Sequence, residues 1–117
     1  MLKGFSNVYV NIAKFLNNCT ELIVKDVKPR YKYDDSGKRT NTIEGTTITV
    51  VVMGEVEDVP VSNFMESFTV NVMDDNDFKV APKQQIKITK VAEVSLYGKF
   101  HNQLSIKTIH DGIQIVK

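Results

Sequence analysis

Apolar and polar residues alternate with a period of two along much of this chain, and that spacing predicts β-strands. The clearest run is residues 46–53, where one face carries Ile48 and Val50. Residues 68–72 alternate in the same way. Because successive side chains of a strand point to opposite faces of the sheet, each run predicts a strand with one buried face.

Three shorter segments predict further strands. The first contains Ile86 and Val94, and the parity of its alternation changes after Val91; the other two contain Leu104 and Ile113. A change of parity within a strand is typical of a β-bulge, where the strand carries one extra residue. With these segments we expect five or six strands in all.

The first strand is predicted to be long and bent. It covers residues 22–33 but is interrupted at Pro29, because proline donates no ladder hydrogen bond. The Asp-Asp-Ser-Gly sequence at residues 34–37 then predicts a turn. We expect a single domain over residues 1–117, in which residues 1–20 form an N-terminal arm or short helix and residues 21–117 form a barrel.

Residue composition also predicts a protein built mainly of β-strands. The chain contains 16 Val, 10 Ile and 9 Thr but only 3 Ala and 5 Leu. β-branched side chains suit a half-buried pleated surface, whereas Ala and Leu favour helices. We predict an all-β fold, a small antiparallel barrel of five to six strands, because closure removes exposed sheet edges. The oligonucleotide-binding barrel (OB-fold) is the leading architecture, and a small β-sandwich is the alternative.

Length and cysteine content narrow the class of protein further. A chain of 117 residues is long enough to bury a core without disulfides or a structural metal. The lone Cys19 has no intramolecular disulfide partner and two histidines are too few for a zinc cluster, so we expect no metal and no cofactor. The longest apolar run, residues 50–53, is far short of the roughly 20 residues of a membrane helix. These features predict a protein of a reducing cytoplasm.

Charge is distributed unevenly along the chain. Residues 55–77 contain seven acidic side chains and no Lys or Arg, so their net charge is −7, and the remainder carries +8 to give the total of +1. A basic face could meet a polyanion while the acidic segment points away from it; alternatively, each strand simply has a solvated charged face. If partner proteins of replication or recombination bind through negative charge, the acidic segment 55–77 supplies the candidates.

Basic and aromatic residues occur together in two clusters, a combination that binds single-stranded nucleic acid through phosphate contacts and base stacking. The first cluster has Lys28, Arg30 and Lys32 alternating with Tyr31 and Tyr33. Strict alternation places the cations on one face of the strand and the tyrosines on the other. The tyrosines therefore either stack on bases or pack in or beside the core.

The second cluster follows near the C-terminal end. Tyr97 and Lys99 share one face of the predicted strand, and Phe100 comes next. We predict that Tyr97 and Phe100 stack on bases and that Lys99 contacts phosphate. Lys38 and Arg39, in the glycine-containing loop after the first strand, are also predicted to reach phosphates.

Several stretches of the chain resemble a known family. Residues 22–40, LIVKDVKPRYKYDDSGKRT, and the Val-rich strand at 46–53 look like the small single-stranded-DNA-binding proteins of lactococcal and streptococcal phages and related mobile elements. The closing stretches VSLYGKF, at 94–100, and LSIKTI, at 104–109, are similar to the same proteins. The similarity covers roughly residues 20–117.

The resemblance implies an OB-fold that coats unwound single-stranded DNA, with little sequence preference, during phage or mobile-element replication and recombination. It also implies a homo-oligomer, a dimer or tetramer, in the cytoplasm of a bacterial host. The better-known bacterial single-strand binders stack bases on tryptophan, and this chain has none, so Tyr and Phe have to serve. RNA binding stays open because stacking platforms accept both sugars. The alternative function is a phage structural or accessory module that binds only proteins.

No catalytic motif meets its geometric requirements. A phosphate-binding loop built on residues 36–40 would need glycine where Lys32 stands and Ser or Thr where Arg39 stands. His101 and His110 fall in predicted loops without a nucleophile motif nearby. We therefore expect no enzymatic activity.

Overall fold

The computed structural model describes residues 12–58, 62–97 and 103–116, and most of them are in strands. Strands account for 59% of the structure, which confirms the all-β class. None of the described helices is long and apolar enough to cross a membrane. The elements in chain order are helix α1 (Ile12–Asn18), β1 (Cys19–Tyr33), β2 (Arg39–Glu55), β3 (Ser67–Val72), β4 (Gln85–Ile88), β5 (Glu93–Tyr97), β6 (Gln103–Thr108), a 3₁₀ turn (His110–Gly112) and β7 (Ile113–Val116).

All of the described strands belong to one curled sheet, which forms a half-barrel with the order β5-β6-β3-β2-β1-β4-β7. Neighbouring strands are antiparallel except for β3 and β6, which run parallel. The prediction of five to six antiparallel strands was therefore wrong in the count, which is seven, and in one pairing. The meander β1-β2-β3 forms the centre of the sheet, and later strands extend it on both sides.

The extra strand arises because the apolar segments before and after Val91 join different parts of the sheet. Strand β4 pairs with β1 and β7, whereas β5 pairs with β6 at the opposite edge. Between them, the amide of Thr89 donates to the carbonyl of Gly112 at 2.8 Å, and the amide of Ala92 donates to that of Lys107 at 2.8 Å. The change of parity therefore marks a change of neighbouring strand, not a bulge within one strand.

The hydrophobic core is built from the alternating positions that the sequence indicates on β2 and β3. Helix α1 adds Phe15, whose ring packs edge-on against Phe68 with a centroid distance of 5.7 Å and an interplanar angle of 70°. Burial of side chains of this size stabilises a fold by roughly 1.5–3 kcal/mol each. The core members are Leu22, Val24, Ile48, Val50, Val52, Phe68, Val70, Val72, Ile86, Leu104, Ile106 and Ile113.

A buried polar side chain on β3 forms hydrogen bonds to both neighbouring strands, the antiparallel β2 and the parallel β6. Asn71 of β3 is only 1% exposed, although alternation places it opposite Val70 and Val72. Its Oδ1 accepts a hydrogen bond from the Thr47 hydroxyl of β2 at 2.8 Å. Its Nδ2 donates to the Ser105 hydroxyl of β6 at 2.9 Å. The amide group is thus satisfied in both directions by side chains of the two neighbouring strands.

Strand β2 passes very close to the end of β3 at Gly45. The φ angle of Gly45 is +146°, and a Cβ atom at this position would lie 2.5 Å from the carbonyl oxygen of Val72. The next residue, Thr46, accepts a hydrogen bond from the amide of Phe78 and donates one to the carbonyl of Asp75. These contacts fix the point at which β2 leaves the body of the sheet.

Candidate nucleic-acid interface

The hairpin of β1 and β2 projects beyond the rest of the sheet. Strand β3 pairs with residues 46–51 of β2, and β4 pairs with residues 22–23 of β1. Pairing between β1 and β2, in contrast, continues to Tyr33 and Arg39. We call residues 29–45 the hairpin arm: over the described part of the chain, it is two strands wide with no third strand on either side.

The tip of the hairpin arm is a tightly hydrogen-bonded turn. The carboxylate oxygen Oδ1 of Asp34 accepts bonds from the Ser36 hydroxyl at 2.7 Å, the Ser36 amide at 3.0 Å and the Lys38 amide at 2.9 Å. The hydrogen bonds from Ser36, followed by that from Lys38, lower the pKa of Asp34. Gly37 has a φ of +83°, which suits glycine in a turn. The turn thereby fixes the backbone of Lys38, whose side chain is exposed.

Arg39 is the first residue of β2, not a loop residue, and it stacks on an aromatic ring. Its guanidinium carbon lies 4.6 Å from the centroid of the Tyr31 ring. Arg39 pairs with Tyr33 in the strand register, and Tyr31 lies two residues before Tyr33 on the same strand, so this cation and this tyrosine share a face. Tyr31 is half-buried and Tyr33 is 58% exposed, and neither belongs to the core.

The other cations of the first cluster differ in their environment. Arg30 Nε lies 3.3 Å from Glu44 Oε1 across the hairpin arm, and both side chains are about two-thirds or more buried, with 26% and 32% exposed. Lys28, at the base of the arm, and Lys32 are exposed. The arm therefore presents lysines to solvent, while the charge of Arg30 is partly neutralised by its carboxylate partner.

The second predicted cluster lies in a different part of the sheet. Tyr97 is the last residue of β5, and its backbone pairs with Gln103. Strands β6, β3 and β2 separate β5 from β1 in the sheet order. Lys99 and Phe100 lie outside the described residues. Strand pairing therefore does not bring the two clusters together.

A turn that the sequence analysis missed displays two large apolar side chains. Phe64 is 52% exposed and Met65 is 67% exposed, which puts both among the most exposed large hydrophobic residues described. The amide of Glu66 donates to the carbonyl of Asn63 at 2.9 Å, which closes a four-residue turn with this pair at its centre. We call residues 62–66 the Phe64–Met65 turn. Two adjacent apolar residues in an acidic loop were its only sequence signal.

Several hydrogen bonds hold the Phe64–Met65 turn in a strained conformation. The carboxylate of Glu55 accepts bonds from the Ser62 hydroxyl at 2.7 Å and the Asn63 amide at 2.9 Å. The amide of Met65 donates to the carbonyl of Val52 at 2.7 Å. Met65 has a φ of +70°, a left-handed conformation that costs a non-glycine residue roughly 1–3 kcal/mol. The fold thus fixes two apolar side chains in water at an energetic cost.

A histidine between two carboxylates fastens the 3₁₀ turn to the segment after β3. His110 Nδ1 lies 2.6 Å from Asp74 Oδ2, and its Nε2 lies 3.0 Å from Asp111 Oδ1. The hydrogen bond with Asp74 and then the charge of Asp111 raise the pKa of His110. Desolvation opposes ionisation of Asp74, but the hydrogen bonds from His110 outweigh it and lower the pKa of that carboxyl. In the described residues no group of three or more His, Cys, Asp or Glu side chains could hold a metal ion.

Two of the concave regions on the described surface lie beside β1. A cleft of about 320 Å³ lies between α1, β1, β4 and β7, with Leu22 and Ile86 among its lining residues. A shallower depression of about 330 Å³ lies on the outer face of β1 and β2. Ile23, Val51 and Met53 form its apolar part. This second region, which we call the outer depression, has the charged residues Glu21 and Lys25 at its border.

Comparison of the chain with protein-family models, with curated proteins and with solved structures gave no match. The resemblance to phage single-stranded-DNA-binding proteins therefore stays a prediction. Any assignment of function depends on the residues and the geometry of this chain.

Proposed function

We propose that the protein binds single-stranded DNA with little sequence preference and that the hairpin arm makes the contact. The observation that carries this proposal is the Arg39–Tyr31 stack beside the exposed Tyr33, at the tip of a projecting basic ribbon. The exposed Lys32 and Lys38 lie on the same ribbon.

The geometry supports binding to a single strand because it combines the two required interactions within one hairpin. Lysine and arginine side chains neutralise phosphates, which gives binding that weakens with salt. Exposed aromatic rings stack on bases, and stacking tolerates any sequence because every base has a π-face. Tyr33 offers such a ring directly opposite Arg39 in the strand register. The cation–π contact with Tyr31 holds the Arg39 guanidinium over the neighbouring Tyr31 ring.

An OB-fold is the finer architecture that we propose for the half-barrel. This proposal is supported by the central β1-β2-β3 meander, in which β1 has β4 as its outer neighbour in the sheet and β3 has β6. In OB-folds the loop between the first two strands is one of the elements that bind oligonucleotides. The tip of the hairpin arm is that loop here. The biological role that we propose is coating of unwound DNA in phage or mobile-element replication and recombination in a bacterial cytoplasm.

Fluorescence anisotropy with a labelled oligo-dT, titrated at several salt concentrations, tests the proposed function. We expect saturable binding in which log K falls with log salt at about −0.7 per neutralised phosphate. Duplex DNA of equal length should compete poorly, and competition by poly-U decides between DNA and RNA. Absence of binding even at low salt would refute the proposal.

Variants of the hairpin arm test the assignment of the site. Removal of charge in Lys38→Ala or Arg39→Ala should make the salt slope shallower by about one phosphate contact each. Tyr33→Ala should weaken binding at every salt concentration by roughly 1–3 kcal/mol, while Tyr33→Phe should retain most of it. Lys79→Ala is the matched control, since Lys79 is already paired with Asp77 at 2.6 Å. Wild-type isotherms for Lys38→Ala, Arg39→Ala and Tyr33→Ala would remove the hairpin arm as the site.

A protein-interaction module is the second candidate function, and the Phe64–Met65 turn is the observation that favours it. Large apolar side chains on a fixed turn are typical of contact sites between proteins. The two functions are compatible, because the hairpin arm begins at the Gly45 end of β2 and the turn lies beside the other end.

A further inference from the structure

We propose that Glu44 weakens DNA binding by the hairpin arm, because its carboxylate competes with a DNA phosphate for the guanidinium of Arg30. This inference rests on the proposed function and concerns its regulation: one acidic residue sets the strength of a contact that the arm makes. An internal competitor of this kind lowers the affinity for DNA and keeps the complex readily reversible.

The net charge of the hairpin arm is small although the arm is rich in cations. Residues 29–45 contain four cations, at positions 30, 32, 38 and 39, and three carboxylates, at positions 34, 35 and 44, so the net charge is only +1. Asp34 and Asp35 lie in the turn at the tip, and Oδ1 of Asp34 accepts the hydrogen bonds that hold this turn. Glu44 is therefore the one acidic residue in the paired strands of the arm.

Glu44 is fixed in position by the body of the sheet. Its neighbour Gly45 lies so close to β3 that a Cβ atom there would be 2.5 Å from the carbonyl oxygen of Val72. Arg30 lies opposite, in the segment of β1 that pairs with this part of β2. The ion pair between Arg30 and Glu44 therefore forms at the base of the arm, where the backbone of β2 is held against a third strand.

The ion pair itself is long and incomplete. Arg30 Nε lies 3.3 Å from Glu44 Oε1, whereas a strong charge-assisted hydrogen bond measures roughly 2.7–2.9 Å. Nε is the only nitrogen of the Arg30 side chain in a described contact, so the N–H groups of both terminal nitrogens remain available. Solvent reaches the pair, because 26% and 32% of the two side chains are exposed. A guanidinium held through one nitrogen at this distance can exchange its partner.

A phosphate is a suitable replacement for the carboxylate. Phosphate and carboxylate oxygens bind the same N–H groups of a guanidinium, and an ion pair near the surface contributes little free energy that a competitor has to overcome. When a phosphate takes over Arg30, the Glu44 carboxylate loses its partner and repels the DNA backbone beside it. The gain from this phosphate contact is thereby reduced. Lys32 and Lys38 have no carboxylate partner among the described residues, so their contacts are not reduced in this way.

Anisotropy titrations with labelled oligo-dT that compare wild type with Glu44→Gln test the inference. Glutamine keeps an oxygen that accepts a hydrogen bond from Arg30 Nε, but it removes the negative charge. We expect Glu44→Gln to bind about two- to fivefold more tightly at about 0.1 M salt. Its log K should also fall more steeply with log salt, by up to about 0.7, because the displaced carboxylate of the wild type takes up a counterion and offsets one that the phosphate releases.

Two further variants show whether the charge acts through Arg30. Asp35→Asn is the matched control, because it makes the same change of charge on an exposed residue of the arm that has no described ion pair. It should change affinity and salt slope much less than Glu44→Gln does. In an Arg30→Gln background, Glu44→Gln should have no more effect than Asp35→Asn, because the guanidinium is gone. A loss of structure would weaken binding, so it cannot imitate the expected gain.

The outcomes separate this inference from the proposed function. If wild type binds and Glu44→Gln binds equally well or more weakly, the inference is overturned and the proposed function stands. A gain that Asp35→Asn matches, or that persists in the Arg30→Gln background, also overturns the inference, because the charge then acts without the Arg30 contact. Absence of binding by wild type and by Glu44→Gln alike refutes the proposed function and the inference together.

Discussion

The buried Asn71 gives the strongest quantitative prediction about the fold. Replacement by alanine removes hydrogen bonds to Thr47, at 2.8 Å, and to Ser105, at 2.9 Å. Each such bond contributes about 0.5–1.5 kcal/mol net, so Asn71→Ala should lower the free energy of unfolding by about 1–3 kcal/mol. Thr47 and Ser105 are half-buried, so water can reach their hydroxyls, and no larger penalty is expected.

The reciprocal variant Thr47→Val acts on the same bond from the other side. It leaves Oδ1 of the buried Asn71 without its donor, which costs about 1–3 kcal/mol. The double variant should therefore cost less than the sum of the two single variants, with a coupling of about 0.5–1.5 kcal/mol.

Urea unfolding followed by far-ultraviolet circular dichroism measures all three free energies. Asn41→Ala is the matched control, because Asn41 is an exposed asparagine of β2 in the hairpin arm. It should change stability by less than about 0.5 kcal/mol. A cost for Asn71→Ala as small as that of the control, or strict additivity in the double variant, would show that the side chain does not bridge the three strands.

Three further predictions concern other parts of the chain. Gly45→Ala should lower the free energy of unfolding, measured in urea, by about 2–5 kcal/mol, because backbone strain and a clash with β3 add. In Gly37→Ala the new methyl group meets no neighbouring atom, so this variant should cost only about 1–2 kcal/mol. Equal costs for the two variants would contradict the close contact between Gly45 and β3. The raised pKa of His110 stabilises the fold below its ordinary value of 6.5, and this contribution is lost as pH rises through the folded-state pKa. The lowered pKa of Asp74 stabilises the fold above 3.8 and is lost as pH falls through its folded-state pKa. The stability difference between wild type and His110→Gln should therefore be largest between these limits and shrink in alkaline urea titrations; a flat difference would rule out the ion pair. Desolvation followed by a nearby carboxylate raises the pKa of Cys19 to about 12, so its alkylation by iodoacetamide near neutral pH should be slow until urea unfolds the chain; rapid labelling of the folded protein would contradict this.

The strand content and the central part of the core could be predicted from the sequence, because they depend on local alternation. Residues 46–53 and 68–72 bury the side chains that their pattern indicates. The separation of β4 from β5 could not be predicted in this way. It depends on hydrogen bonds to the distant Gly112 and Lys107, and local periodicity carries no information on which strand becomes a neighbour. The parallel pairing of β3 with β6 could not be predicted for the same reason, because it also depends on which strand becomes a neighbour.

The candidate site was predicted in composition but not in geometry. The pattern identified the cations and tyrosines of residues 28–39, yet it placed Lys28, Arg30 and Lys32 on the face opposite the tyrosines and Arg39 in a loop. The contact of Arg39 with the Tyr31 ring depends on the pairing of Arg39 with Tyr33 across the hairpin, and the sequence does not display such cross-strand pairing. The early start of β2 was missed because residues 39–45 are mostly polar and lack the apolar alternation that marks a buried strand.

The hairpin arm has a consequence for how the molecule fluctuates. Within the described ranges its backbone amides have one partner strand, whereas those at the centre of the sheet are flanked by strands on both sides. Local opening of such a ribbon requires far less free energy than global unfolding, so its amides should exchange with deuterium through sub-global openings while the meander exchanges only when the whole domain unfolds. The hairpin arm can then adjust its shape to a flexible DNA strand without loosening the core. Substitutions there can alter affinity while leaving the cooperativity of the rest of the domain unchanged.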